Sequence, residues 1–423
     1  AKAAFDGQPW SMLVADQRLV VVTTAGRIAC YGAEPVSAVS HAHQVADSPP
    51  DADARQFAAG ITADSAAASG YALWIGACSP QRIAALARAT SLHIVAADAD
   101  AERVAAARRT LLDQGLYGSR VAVLEGSLND LELPPYFASL AVVESLPADR
   151  QQAAVEGVFR CLRPYGGTAV FCEVPCAELT RLVQDQRLEN AQIADCPAGS
   201  KLTREGQLAG AGQWTHQYCD AANSGVSADR LVRAPLGVLW WGGPSHDDVL
   251  PRHGHGPAPQ VAGGRLFIEG PDMLRAIDVY TGRLLWQKSF PLLGKFYDNT
   301  SHQPGAGEIG SNYACTPERV YVVRGDQVLS LNASDGEQVG DFRIPADSAA
   351  PPVFAGWVAV DDDLLVTTAN PQRYASASPQ LLVFDRERGT LLWQRRAAYA
   401  FRHNAICVAA GRIFCIDALS RLA

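Results

Sequence analysis

Two patterns of apolar residues divide this chain. Over residues 264–268, 319–323 and 363–367 they form short runs rich in Val, Ile, Leu, Phe and Tyr, each predicting a strand. Between about Val36 and Ser200 short apolar runs alternate instead with Ala-rich segments of helical character. That stretch predicts strand 71–75, helix 81–89, strand 93–97, helix 101–114 and strands 121–124, 140–143 and 168–171. Successive strand–helix units imply a mostly parallel sheet, with a ligand crevice at the carboxyl ends of its strands.

The C-terminal half repeats itself. Ala276-Ile277-Asp278-Val279-Tyr280-Thr281-Gly282 followed by Arg283-Leu284-Leu285-Trp286 aligns with Val383-Phe384-Asp385, Gly389 and Leu391-Leu392-Trp393. A third copy, Ser330-Leu331-Asn332-Ala333-Ser334-Asp335-Gly336, places Asn332 where the others have Asp, so the period is about 53–54 residues. An Asp or Asn can fold onto backbone amides to close a turn, Gly supplies positive φ, and the Trp buries a large side chain between sheets. A blade-length period of this kind is the signature of a β-propeller. Residues 11–24 with 26–32 give one more half-blade, similar to 411–417, which makes roughly five pieces. A closed ring of seven or eight blades would show more, so the chain is expected to begin and end inside a longer protein. The first six residues, which carry neither an initiator Met nor an apolar signal segment, give the same expectation.

Composition narrows the function classes. With 48% hydrophobic and 19% charged residues over 423 positions, the chain can build two or more cores. A formal charge of -8 and a pI near 5.6 argue against a surface made for nucleic-acid backbones or anionic lipids, so no nucleic-acid partner is expected. The apolar runs at Leu19–Val22 and Val238–Trp241 are far short of the ~20 residues that span a bilayer, so no membrane span is expected either. Ten cysteines stand singly, with no CxxC and no adjacent pair, and buried free thiols are the expectation.

The order of glycine-bearing first strand Trp74-Ile75-Gly76, second strand Ile94-Val95-Ala96-Ala97-Asp98, helix ending Ala-Arg-Arg, then Leu162-Arg163-Pro164-Tyr165-Gly166-Gly167 resembles class I S-adenosylmethionine-dependent methyltransferases over about residues 55–175. The resemblance implies that Gly76, with Ala77 and Cys78 after it in the first loop, meets the methionine part of S-adenosylmethionine. It implies that Asp98 accepts hydrogen bonds from the ribose hydroxyls and that Ala99 flanks the adenine. It further places Ser127 and Leu128 at the third strand's end, and Glu144 near the transferring methyl. The family's G-x-G-x-G is here Gly76-Ala77-Cys78-Ser79-Pro80, which keeps the first glycine. Read on their own, Ser79 and Pro80 make a helix start, with Ser as N-cap and Pro at the first helical position. Asp98 likewise reads as a solvated turn acid beside Asp100 and Glu102, favouring the next helix N-terminus.

The repeat pattern at Ala276, Asp278, Thr281, Gly282 and Trp286 resembles the pyrroloquinoline-quinone-like repeats of quinoprotein dehydrogenases and of the non-catalytic propeller of the outer-membrane assembly machinery. The quinoprotein side of that family implies a calcium-supported quinone on a vicinal disulfide. This chain has no Cys-Cys pair, so the repeats are read as structural and pyrroloquinoline quinone (PQQ) is not expected. The stretch His246-Asp247-Asp248 with Arg252, His253 and His255, and His302 further on, invites a metal reading but matches no HExxH or Cys-rich pattern, so no metal site is assigned. Polar stretches at 214–218, 298–303 and 308–313 could line a propeller mouth that takes a small molecule or peptide, with Trp214 equally suited to packing between blades.

The expected architecture is therefore multidomain α/β plus all-β: a Rossmann-like methyltransferase-type parallel sheet inserted in an incomplete PQQ-like β-propeller. Its expected boundaries are a first blade at 1–38, the inserted domain at 39–200 and propeller blades at 201–423. The functional expectation is methyl transfer from S-adenosylmethionine to an unidentified acceptor presented by propeller loops. The alternative is a non-catalytic scaffold or protein-binding propeller carrying a methyltransferase-like domain.

Overall fold

The computed structural model describes residues 7–34, 45, 49–63, 68–76, 79–146, 149–245, 248–250, 256–297, 305–345 and 352–417. The chain divides into two compact units, residues 1–46 and 47–423. The first is a three-stranded antiparallel sheet of β1 (Pro9–Ala15), β2 (Arg18–Thr23) and β3 (Ile28–Tyr31), in that order. Asp16 and Gln17, both at positive φ, turn β1 into β2.

The second unit begins with the α/β part: α1 (Ala52–Ala63), β4 (Ser69–Ile75), α2 (Pro80–Ala89), β5 (Ser91–Asp98), α3 (Ala101–Asp113), β6 (Val121–Glu125), β7 (Ala138–Val143), α4 (Gln151–Cys161), β8 (Gly167–Cys172), α5 (Cys176–Asp185), β9 (Ala191–Cys196) and β10 (Gly199–Arg204). Its seven strands lie in the order β6-β5-β4-β7-β8-β10-β9. The first five are parallel, and β10 runs antiparallel to both neighbours. Alternate residues of β4 face opposite sides, as strand geometry requires. Ala72 and Trp74 pack among residues of α1, α2 and α3, whereas Leu73 and Ile75 pack among residues of α4 and α5. This is the doubly wound, Rossmann-like sheet of methyltransferase type, with helices on both faces. The chain leaves β4 for β5 and β6 on one side and returns to place β7 on the other, so a crevice opens at the carboxyl end of β4.

Then come three four-stranded antiparallel blades: β11 (Gln260–Ala262) to β12 (Arg265–Gly270), β13 (Met273–Asp278) and β14 (Leu284–Ser289); β15 (Tyr313–Cys315) to β16 (Arg319–Arg324), β17 (Gln327–Asn332) and β18 (Gln338–Arg343); β19 (Phe354–Asp361) to β20 (Leu364–Asn370), β21 (Ala377–Asp385) and β22 (Leu391–Arg402). A two-stranded sheet of β23 (Cys407–Ala409) and β24 (Arg412–Phe414) follows. These are PQQ-like repeats forming an incomplete propeller.

The repeat turn behaves as its residues dictate. Asp278 Oδ1 accepts from the backbone N–H groups of Tyr280 and Thr281, and Asp385 Oδ1 does the same for Glu387 and Arg388. Gly282, Gly336 and Gly389 follow at φ near +70° (69°, 73° and 68°). Trp286 reaches the next blade, its indole N–H donating to Ala333 O at 2.9 Å, and a Cβ on Gly336 would come within 2.7 Å of its ring.

The sequence hid an earlier member of this series. Trp240 donates its indole N–H to Val279 O at 2.8 Å, and a Cβ on Gly282 would lie 2.3 Å from its ring. Trp240 thus stands to the first blade as Trp286 stands to the second, although residues 226–245 carry no copy of the turn.

The α/β part docks on that same first blade. Arg163, just past α4, donates through Nε to Asp278 Oδ2, with the two side chains 16% and 2% exposed. Tyr136 and Tyr280 meet edge to face at 5.7 Å, and Arg204 lies over both Tyr136 and Phe159. Burial pushes the Tyr280 phenol far above its ordinary range. Among the described residues no helix is long and apolar enough to cross a membrane.

Candidate functional site

Five residues that the sequence singles out converge at the carboxyl end of the parallel sheet. Gly76, Asp98, Ala99, Ser127 and Leu128 line one cleft of about 310 Å³, together with Ile75, Ala97 and Gly126. Gly76 follows β4 at φ +120°, where a Cβ would lie 3.0 Å from the Ser145 amide nitrogen and 3.2 Å from Glu144 Cβ. Both the backbone conformation and the close approach of the next loop demand glycine there. Gly76 N–H donates to Ala97 O and Gly126 N–H to Asp98 O, which draws the bends after β4, β5 and β6 around the cleft. Leu128 packs against Gly157 of α4, where a Cβ would come within 2.8 Å of it.

Two polar side chains of the cleft are engaged within the chain, Asp98 with Arg103 and Ser127 with Asp130. Asp98 is buried, its side chain 2% exposed. Its Oδ1 accepts from the Asp100 amide at 2.8 Å and from Arg103 Nη2 at 2.7 Å, and its Oδ2 accepts from Arg103 Nε at 3.0 Å. The reading of Asp98 as a solvated turn acid is therefore corrected. Asp100 takes that role as N-cap of α3, accepting from the amides of Glu102 and Arg103, and the hydrogen bond from Arg103 N–H foremost holds its carboxyl below the usual range. The Ser127 hydroxyl donates to Asp130 and lowers that carboxyl in the same way.

Glu144 faces a different hollow. Its side chain, 8% exposed, accepts from the Ser79 amide and from Arg82 Nη1, each at 3.3 Å, and lines a space with Asp51, Asp53, Ala54 and Gln81. Ser79 is the N-cap of α2, but its hydroxyl makes no capping bond, and the Glu144 carboxylate sits at this positive helix end instead. Ala77 and Cys78 lie outside the described residues. So do His246, Asp247, Arg252, His253, His255, His302 and the stretch 298–304. Asp248 pairs with Arg275. Trp214 extends the edge of β11 through two backbone hydrogen bonds with Val261.

Sequence reasoning missed Arg103, Asn129, Ser145, Arg150 and Ala154 in the cleft wall. Only Arg103 left a trace, as a cation in the first turn of a helix whose dipole disfavours it there. Among the described residues that line the cleft the titratable groups are Asp98, Arg103 and Arg150, the carboxylate already paired.

Residues 274–414 match the PQQ_2 family profile, described as outer membrane protein assembly factor BamB. No curated protein matches the chain. Among solved structures, a putative S-adenosylmethionine-dependent methyltransferase of Methanococcus maripaludis is 14% identical and matches 37% of this chain and 87% of its own, with a TM-score of 0.32. The structure described as PigF with SAH is 19% identical over 35% of this chain and 53% of its own, TM-score 0.29. A quinohemoprotein alcohol dehydrogenase of Pseudomonas putida is 19% identical over 44% of this chain and 27% of its own, TM-score 0.31.

Proposed function

We propose that the α/β part binds S-adenosylmethionine in the cleft and passes its methyl group to an acceptor, with the propeller blades as the binding platform. The single observation behind this reading is the convergence of Gly76, Asp98, Ala99, Ser127 and Leu128, scattered over some fifty residues of sequence, on one cleft at the point where β4 and β7 part. Its volume of about 310 Å³ lies at the lower end of the range for small-molecule sites. The glycine bend brings main chain to the cleft wall, Ile75, Ala97 and Leu128 supply apolar surface, and Asp98 is the group that would hold a ribose diol.

Bound there, S-adenosylmethionine supplies an electrophilic methyl on sulfonium sulfur. The protein's own contribution is to orient it and to limit water, with Asp98, paired to Arg103, as the carboxylate among the described lining residues.

Calorimetric titration of S-adenosylmethionine into the protein tests the binding step, and methyl release to candidate acceptors tests the transfer. Asp98→Ala is expected to abolish the heat of binding. Ligand at a hundredfold excess over Kd is expected to stabilise the wild type by ~2.7 kcal/mol in a thermal melt and to leave Asp98→Ala unmoved. A melt unmoved in both proteins defeats the reading.

The scaffold reading has its own support in the internal pairing of Asp98 with Arg103 and of Glu144 with Arg82. On that reading the α/β part is a rigid wedge against the first blade, and a protein partner binds the propeller without any cofactor.

A further inference from the structure

The carboxylate that would receive a ribose diol is already met from within the chain. Arg103 presents two adjacent N–H groups to the two oxygens of Asp98, at 3.0 and 2.7 Å. A vicinal diol would present two adjacent O–H groups to the same oxygens, so guanidinium and diol compete for one set of lone pairs. The two partners differ in access. Asp98 is 2% exposed at its side chain, while Arg103 is 53% exposed and forms part of the cleft wall, so of the two it is the arginine that solvent can take up. Arg103 is also the third residue of α3, where a cation opposes the positive end of the helix dipole. The carboxylates of Asp98 and Asp100, the latter 3.2 Å from Nη1, hold it there.

We propose that Arg103 is an internal latch and the specificity-determining residue of the cleft: it occupies the diol-accepting face of Asp98, and a ribose-bearing ligand seats only by displacing it. This rests on the nucleoside reading above and adds to it. The latch lowers affinity for every ligand that carries a ribose diol. It also ties that affinity to ionic strength, because salt screens a half-exposed ion pair and so favours the displaced arginine.

The probe is S-adenosylhomocysteine, which carries no net charge, titrated calorimetrically into wild type, Arg103→Ala and Arg103→Gln at 50 and 500 mM NaCl. Both variants are expected to bind at least tenfold more tightly than wild type at low salt. Wild-type affinity is expected to rise severalfold with salt, while the variants' affinity stays level. The salt series on wild type needs no substitution, so it stands even if a variant fails to fold, which circular dichroism would reveal. Equal or weaker binding by folded variants, with measurable wild-type binding that does not strengthen in salt, overturns the latch and leaves the nucleoside reading intact. Absence of binding to all three proteins overturns both.

Discussion

The repeat turn occurs three times with the same backbone and three different surroundings. At Asp278 the carboxylate closes the turn with one oxygen and holds Arg163 of the α/β part with the other, beneath Trp240. At Asn332 the charge is gone, and Trp286 of the preceding blade covers the turn. At Asp385 the second oxygen pairs only with Arg388 three residues on, which is 80% exposed, and a Cβ on Gly389 would meet nothing nearer than Asp341 O at 3.9 Å. The residue that would have filled that space is Gly340, which stands in the second blade where the first has Trp286. One local motif therefore serves as anchor, stacking surface and plain turn, and its neighbours decide which.

The sharpest way to break this comparison is at the aspartates. Asp278→Ala leaves the mostly buried Arg163 unpaired and is expected to cost about 3–5 kcal/mol, whereas Asp385→Ala loses the turn bonds and an exposed pair with Arg388 and is expected to cost about 1 kcal/mol. Urea unfolding followed by tryptophan fluorescence measures both, and equal losses would mean that the Arg163 contact contributes nothing. Next in size are the tryptophans. Trp286, 7% exposed, is expected to lose about 3 kcal/mol on replacement by Ala. Trp393, 46% exposed, should lose well under half of that.

Acid separates the blades by a different route. The third blade is held by a neutral imidazole: His216 Nε2 accepts from the Val360 amide at 3.1 Å, and burial pushes the ring down to about 4. An unfolded chain gains a proton near pH 6.5 that the folded one refuses, so this contribution is complete above that pH and is lost as pH falls from about 6.5 toward 4. Acid unfolding of His216→Gln is expected to be less steep across that window, by up to about 3 kcal/mol. Smallest is the glycine pair. Gly389→Ala is expected to cost about 1 kcal/mol for its left-handed backbone, and Gly336→Ala about 1 kcal/mol more for the clash with Trp286. Identical midpoints for the two would mean that the stacking is slack.

Local chemistry made much of this legible. The strands and helices of the parallel sheet fall within a residue or two of their expected positions, because each carries its own apolar period. The repeat was readable because Asp, Gly and Trp act within a few residues of one another. Helices α1, α4 and α5 and the β9–β10 hairpin were not read. The hairpin's apolar residues are sparse, with Ala191, Ile193 and Leu202 packed only because the neighbouring β8 and α5 are there. In the site, Gly76 was readable from its place at a strand end. Arg103 as the partner of Asp98, and the turning of Glu144 toward the start of α2, were not, since both depend on where the flanking helices lie.

By itself the sequence determined the two grammars, parallel α/β and antiparallel blades, and the turn that repeats through the second. Hydrophobic period and turn stereochemistry act over a few residues, so they are written locally. Tertiary structure alone decided that Asp278 anchors one part to the other, that Trp240 covers the turn of a blade to which it is not joined by any repeat, and that Asp98 pairs with Arg103. Each is a contact whose energy depends on distance in space and on exclusion of water, and neither is a property of position along the chain.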